Sequence, residues 1–277
     1  MSGKLVVVGT PIGNLEDFSP RAARALAEAD FIAAEDTRVT RKLLSRFNIR
    51  RPLVCYFDHN KYRRGEVICE RMENGETCAL VSDAGMPAIS DPGELLVAQC
   101  AERGIPVCVV PGPSAVVSAL AVSGLPTGRF TFEGFLSVNK KNRREHLDGL
   151  KTERRTMVFY EAPHKLAATL ADLLAALGDR RVAVVRELTK IHEEVVRTTL
   201  AEAAARYADG SARGEFVLVV EGAPYRAAPQ APEETAETVA RNYIAQGFSA
   251  SEAAKKAAAE TGRRKNEIYR ALSRKKG

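Results

Sequence analysis

Five times between Leu5 and Ser123 the sequence repeats one unit: a short apolar run, a loop of glycine, proline, serine or aspartate, and a helix-length segment. The apolar runs are Leu5 to Val8, Phe31 to Ala34, "LVCYFDHN" from Leu53, "CALVSDAG" from Cys78 and "PVCVVPG" from Pro106. The helical segments are Pro20 to Ala29, "TRVTRKLLSRF" from Thr37, Gly65 to Asn74, Gly93 to Arg103 and Ser114 to Ser123. Such alternation predicts a mostly parallel sheet with helices on its faces. A ligand then sits at the carboxyl ends of the strands.

The loops at those ends hold the unusual residues: "GTPIGN", "EDTR", "DHN", "SDAGMPAISDPG" and "PGPSA". Five of them converging on one sheet edge predict a site, whereas any one alone is an ordinary turn. In the first, Gly9 and Gly13 permit close backbone approach, and Asp17 or Ser19 can cap the helix that Pro20 begins. Its spacing is G-x-x-x-G-N, which is neither G-x-G-x-x-G nor a P-loop. Glu35 and Asp36, at the end of the second run, stand where a dinucleotide fold places its ribose-binding acid, but the pyrophosphate half of that fingerprint is missing. "SDAGMPAISDPG" reads either as part of a site or as a long connection with a helix cap at Ser90 or Asp91.

A length of 277 residues with 45% hydrophobic content suffices for two medium domains. The long uncharged stretch from Gly104 to Gly128 is broken by Pro106, Pro111, Pro113 and Pro126, so no membrane span is expected. No signal peptide is visible, and the cytoplasm is the expected location. Five cysteines without a C-x-x-C pair indicate neither a zinc site nor a disulfide framework, and buried reduced thiols are expected. The net charge of +6 is concentrated: residues 249–277 carry nine Lys/Arg against three Asp/Glu, and Asn139 to Arg155 seven against three. Two basic runs favour a nucleic-acid partner.

After Gly128 the pattern changes. "RFTFEGF", "TMVFYEAPHKL", a helix Ala167 to Leu177 ending at Gly178, "RVAVVREL", "EEVVRTTL", an alanine-rich helix and "EFVLVVEG" predict a second α/β domain with a mixed sheet. The expected division is 1–127, 128–222, a proline-alanine linker 223–234, and a basic helical module 235–277. That module holds three helix-length pieces separated by glycine. Ser249 or Ser251 can cap the second, with Glu252 able to complete a capping box from Ser249, and the turn at Thr261 and Gly262 before a basic helix resembles a helix-turn-helix unit. A plain three-helix peg with a solvated basic surface is the alternative.

"GTPIGN", "AAEDTR", "SDAGMPAISDPG", "PGPSA", "FEGF" and "YEAPHKL", in this order, resemble the ribosomal RNA small-subunit methyltransferase I family, a branch of the tetrapyrrole methylase superfamily. The resemblance spans essentially the whole chain. It implies an α/β fold of two tetrapyrrole-methylase-type domains with the cofactor cleft between them, plus a small C-terminal helical module. It also implies a homodimer. The implied reaction moves a methyl group from S-adenosyl-L-methionine to the 2′-hydroxyl of a cytidine in the decoding region of 16S rRNA, within the small ribosomal subunit. Cofactor binding is implied at Asp83, Ala84, Gly85, Met86, Ser114, Ala115, Tyr160 and Leu188, with no metal. The first Gly-rich loop is implied to lie on the acceptor side.

Such a transfer needs donor and acceptor held in line and help for the hydroxyl to lose its proton. Glu35 and Asp36 are carboxylates at the expected sheet edge, Arg38 can grip a phosphate, and His59 can act as a base near neutral pH. As proton acceptor the sequence offers Asp36 or His59. Each also has a plain role: Asp36 as a helix cap, Arg38 as its ion-pair partner, His59 as a turn residue. The rival readings are a tetrapyrrole or modified protein histidine as acceptor, and a non-catalytic RNA-binding assembly factor.

Overall fold

The computed structural model describes residues 3–224 and 235–273. Most of the expected linker, 225–234, and the last four residues lie outside that range. The chain divides into two compact units, one ending at Ala223 and the other beginning at Pro224.

The first unit contains two five-stranded sheets. In the first, β1 (Leu5–Val8), β2 (Phe31–Ala34), β3 (Leu53–Cys55), β4 (Cys78–Val81) and β5 (Val107–Val110) lie in the order β3-β2-β4-β1-β5. Every pairing is parallel, with Leu5 opposite both Cys78 and Val107. Four helices connect the strands: α1 (Pro20–Glu28), α2 (Thr37–Arg46), α3 (Lys61–Glu73) and α4 (Gly93–Glu102). Strand residues alternate between two cores, as a sheet covered on both faces requires. Val6, Val8, Ile32 and Ala34 pack on Leu26 of α1 and Leu44 of α2. Leu5, Val7, Phe31 and Ala33 pack on Ile68 and Met72 of α3 and on Leu96 of α4.

Local chemistry sets the helix starts. Ser19 accepts a hydrogen bond from the Ala22 amide and Pro20 opens α1. Helix α3 begins at Lys61 rather than near Gly65, because the Asn60 amide shapes the preceding turn, accepting from the Phe57 N–H and donating to the Cys55 carbonyl. Cys69, Cys78 and Cys100 are buried and Cys55 half-buried, whereas Cys108 is exposed on β5, the last strand of its sheet.

Helix α5 (Ala115–Val122) follows β5 in the chain but packs on the second sheet: Val116, Ala119 and Leu120 meet Val158, Ala183, Val185, Val217 and Val219. That sheet contains β6 (Phe130–Phe135), β7 (Thr156–Glu161), β8 (Arg181–Arg186), β9 (Glu194–Thr199) and β10 (Phe216–Val220), in the order β6-β7-β10-β8-β9. It is mixed, since β6 and β7 are parallel and the remaining pairs antiparallel. Its other face, with Met157, Phe159, Val184 and Leu218, packs on α6 (Lys140–Leu150), α7 (Leu166–Leu177) and α8 (Leu200–Arg206).

The second unit is a bundle of α9 (Ala236–Ala245), α10 (Ala250–Thr261) and α11 (Lys265–Ser273) around Val239, Ala254, Ala257 and Ile268. Ser249 and Glu252 form a reciprocal capping box, and Gly262 turns the chain with φ +68°. Among the described residues no helix is long and apolar enough to cross a membrane.

Three loops at the carboxyl edge of the first sheet lock together. A Cβ on Gly112 would stand 2.8 Å from the Gly9 Cα, and one on Gly9 would stand 2.6 Å from the Gly112 Cα. Both contacts are with backbone, which cannot swing away. Gly112→Ala is therefore expected to destabilise the protein by about 1–3 kcal/mol, the usual cost of overpacking. Denaturant unfolding checks this, and an unchanged midpoint would count against the packing argument.

Candidate active-site cleft

The locked loops form one side of a cleft of about 460 Å³. Gly9 and Gly112 pack back to back. Thr10 and Gly85 exchange two backbone hydrogen bonds of 2.9 and 3.2 Å, and the Met86 sulfur lies 3.2 Å from the Gly112 N–H. The loop after β1 is thereby tied to those after β4 and β5, and Ile12 reaches the cleft wall. On the opposite side Gly13 meets the loop after β8, where an added Cβ would lie 2.6 Å from Lys190 Cγ and 2.8 Å from Thr189 Oγ1. That hydroxyl is buried with no hydrogen-bond partner among the described residues.

Asp83, Ala84, Gly85, Met86, Ser114, Ala115, Tyr160 and Leu188 all line this one cleft. Ile12, Ile89, Phe135 and Val217 add apolar wall, and Glu35, Asp91, Glu161 and Glu215 add carboxylates. Sequence reasoning placed the loop that contains Ile12 at this edge without singling out that residue, and did not place Phe135 or the residues of β10 here, because their contribution depends on strand order. Two lining segments carry non-glycine residues in the left-handed region: Ala88 (φ +65°) and Ser90 (φ +64°) after β4, and Glu187 (φ +51°) and Thr189 (φ +65°) after β8. Each costs energy unless its surroundings enforce it, and such residues gather at functional sites. The Asp91 carboxylate enforces the first pair of turns by accepting from the Ala88 and Gly93 amides at 2.9 and 2.8 Å. Tyr56 donates to the Pro92 carbonyl at 3.1 Å from a buried position under the same loop.

Asp36, Arg38 and His59 do not line the cleft. Asp36 caps α2, accepting from the Arg38 amide at 2.8 Å, and is clamped by the Arg38 guanidinium at 2.6–3.2 Å, which holds its carboxyl down at about 2. The Asp36 amide in turn donates to Asp83 at 3.0 Å. The Arg38 side chain is 84% exposed. His59 is an exposed turn residue whose ring meets Phe57 edge-on, 6.1 Å away. The plain roles of all three are thus visible. It is Glu35, one residue before Asp36, that reaches the cleft. Burial raises its carboxyl above the ordinary value, and Asp83, Asp91, Asp58 and Asp36 add to the rise. Burial also raises Asp91, against the opposing pull of its backbone hydrogen bonds. Among the described residues no cluster of His, Cys, Asp and Glu is arranged to hold a metal.

Two interlocked α/β sheets with a cleft at the carboxyl edge of the parallel one define the class: the model of the tetrapyrrole (corrin/porphyrin) methylases matches residues 4–204. The chain belongs to that family and, within it, to the ribosomal RNA small subunit methyltransferase I proteins. It is 48% identical over 274 residues to the protein of that description from Halalkalibacterium halodurans, covering 96% of this chain and 93% of the relative. The Synechocystis protein of the same description is 46% identical over 268 residues, covering 96% of both chains. The fold is shared with the uroporphyrin-III C-methyltransferase of Thermus thermophilus, solved with S-adenosylhomocysteine (TM-score 0.55, 20% identity, 79% of this chain and 97% of that one).

A carboxyl raised in the folded state favours its protonated form there. Its contribution to stability is complete below 4.5 and is lost as pH rises through the raised value. Glu35→Gln is therefore expected to melt with the wild type in acid and above it at neutral pH. Melting temperatures across that range check this, and a gap independent of pH would contradict it.

Proposed function

We propose that the protein transfers a methyl group from S-adenosyl-L-methionine to the 2′-hydroxyl of a cytidine in the decoding region of 16S rRNA, with the small ribosomal subunit as substrate. The observation that carries this reading is a cleft suited to a cationic, phosphate-free cofactor in a chain nearly half identical to proteins described as rRNA methyltransferases. The backbone-rich turns at Asp83 to Met86 and at Ser114 and Ala115 offer N–H and C=O groups to the amino-acid and ribose portions. Tyr160, Leu188 and Ile12 offer apolar surface to the adenine. The carboxylates around the cleft favour a positive sulfonium, which a ring of lysines would repel. Bound cofactor supplies an electrophilic methyl, so the protein's task is alignment and removal of the acceptor proton.

We read residues 1–127 and 128–222 as the two halves that enclose the cofactor, and 235–277 as an RNA-engaging module. In that module Lys255, Lys256, Arg263, Arg264, Lys265 and Arg270 are exposed, as are Lys140, Lys141 and Arg144 on α6. This is the surface expected of a phosphate-binding protein. Arg38, exposed at the rim, can meet a phosphate as well, and His59 stands on the same sheet edge. The homodimer implied by the family is supported by exposed Val107 and Val109 on β5, the strand that ends its sheet. With rRNA as its substrate, the enzyme works in the cytoplasm.

Labelled S-adenosylmethionine is expected to mark unmodified small subunits at a single cytidine 2′-oxygen, located by mapping the ribose methylation. Cofactor binding without label would transfer the weight to a tetrapyrrole or protein acceptor. Replacing Arg263, Arg264 and Lys265 with alanine is expected to weaken RNA binding and flatten its salt dependence by about 0.7–0.9 in log–log slope for each phosphate left without its cation. Cofactor affinity should stay unchanged. Salt titrations of both proteins read this, and an identical slope would remove those residues from the interface.

A further inference from the structure

We infer that Glu35 is the proton acceptor for the RNA hydroxyl, a catalytic role resting on the methyltransferase reading above. Five carboxylates line the cleft, and four of them already hold a hydrogen-bond or ion-pair partner through at least one oxygen. Asp83 accepts the Asp36 N–H at 3.0 Å, and Asp91 accepts two backbone amides. Glu161 accepts the Ala162 amide at 2.8 Å and the Thr169 hydroxyl at 2.5 Å, and Glu215 pairs with Lys190 at 3.1 Å. The Glu35 carboxylate has no hydrogen-bond or ion-pair partner among the described residues, so both its oxygens are available to a substrate.

Its position suits the task. It follows β2, so the sheet fixes its backbone at the carboxyl edge, beside the loop that turns at Gly85. The charged groups that raise its carboxyl are acidic: Asp83 and Asp91 from the loop after β4, Asp58 from the loop after β3, and Asp36 beside it. The nearby cation, Arg38, is engaged by Asp36. A carboxylate in that field is a stronger base than one paired with arginine, which is the state of Asp36.

In the transfer, the 2′-oxygen gives a lone pair to the methyl carbon as its O–H proton passes to a Glu35 oxygen. The carbon–sulfur bond breaks with its electron pair returning to sulfur, leaving a 2′-O-methyl ether and a neutral thioether. Glu35 then releases the proton to water.

The test compares wild type, Glu35→Gln and Glu35→Asp. Glu35→Gln is expected to lower kcat by about 10²–10⁴-fold, the usual worth of a general base, while calorimetric affinity for S-adenosylhomocysteine stays within about threefold. Glu35→Asp should recover part of the rate and move the acid limb of its pH profile. Infrared difference spectra of wild type against Glu35→Gln should show a protonated carboxyl that ionises above the ordinary carboxylate range, with a lower midpoint when S-adenosylmethionine, but not S-adenosylhomocysteine, is bound. A glutamine variant that keeps its rate and pH profile overturns the inference. So does one that loses cofactor affinity in step with rate, since that is a structural role. An inactive wild type is a separate result and removes the methyltransferase reading itself.

Discussion

The contact between the Gly9 and Gly112 backbones is the constraint on which the cleft depends. Neither residue has room for a side chain, so the loops after β1 and β5 meet main chain to main chain. The Thr10–Gly85 bridge then adds the loop after β4. One surface is thus assembled from three segments far apart in sequence, and its chemistry is chiefly that of amides. This accounts for the G-x-x-x-G-N spacing of the first loop. Its first glycine serves packing against a neighbouring loop, and its second, Gly13, admits the loop after β8. No phosphate cradle is involved.

The second sheet complements that surface because its two faces have different tasks. One buries α6, α7 and α8, and the other takes α5. Since α5 begins directly after Ser114, the helix that supplies one cleft loop is anchored in the opposite half of the unit. Tyr160, on β7, packs against Phe132 and Phe135 with ring centroids 4.9 and 5.5 Å apart, which fixes an aromatic wall beside the carboxylates. With apolar wall and carboxylates interspersed, the cleft can discriminate a cationic ligand from a phosphorylated one of similar size.

Much of this was legible in the sequence. The runs at Leu5, Phe31, Cys78 and Val107 are short, apolar and bounded by turn residues, so their strands could be read directly, and the helix starts were narrowed to Asp17 or Ser19 and to Ser249 or Ser251, of which the structure uses the two serines Ser19 and Ser249. The eight cofactor positions that the family resemblance implied line one cleft: Asp83 to Met86, Ser114 and Ala115 from loops that converge at the parallel sheet's carboxyl edge, Tyr160 and Leu188 from the second sheet. Other features depend on geometry that no local pattern encodes. Ala88 and Thr189 adopt positive φ in turns where the Asp91 and Glu193 carboxylates accept hydrogen bonds from their amides, and neither residue type announces that conformation. Glu35 and Asp36 are neighbours of the same charge, and which of them enters the cleft is decided by the helix cap that engages the second. The packing of α5 on the far sheet leaves no periodic signal that distinguishes it from packing on the near one.

The strand order has a consequence for how the chain is made. β1 is synthesised first, yet its partners are Cys78 to Leu80 on β4 and Val107 to Val110 on β5. Until β4 has emerged, Leu5 to Val8 have no neighbour in the sheet, and until β5 has emerged they are paired on one edge only. β2 and β3 adjoin in the chain and can pair early, and β8 and β9 form a local antiparallel pair. Long-range parallel pairing is slow and leaves strand edges open to aggregation. The growing polypeptide therefore carries β1 as an open apolar edge until β4 is made, and with one edge still open until β5 follows.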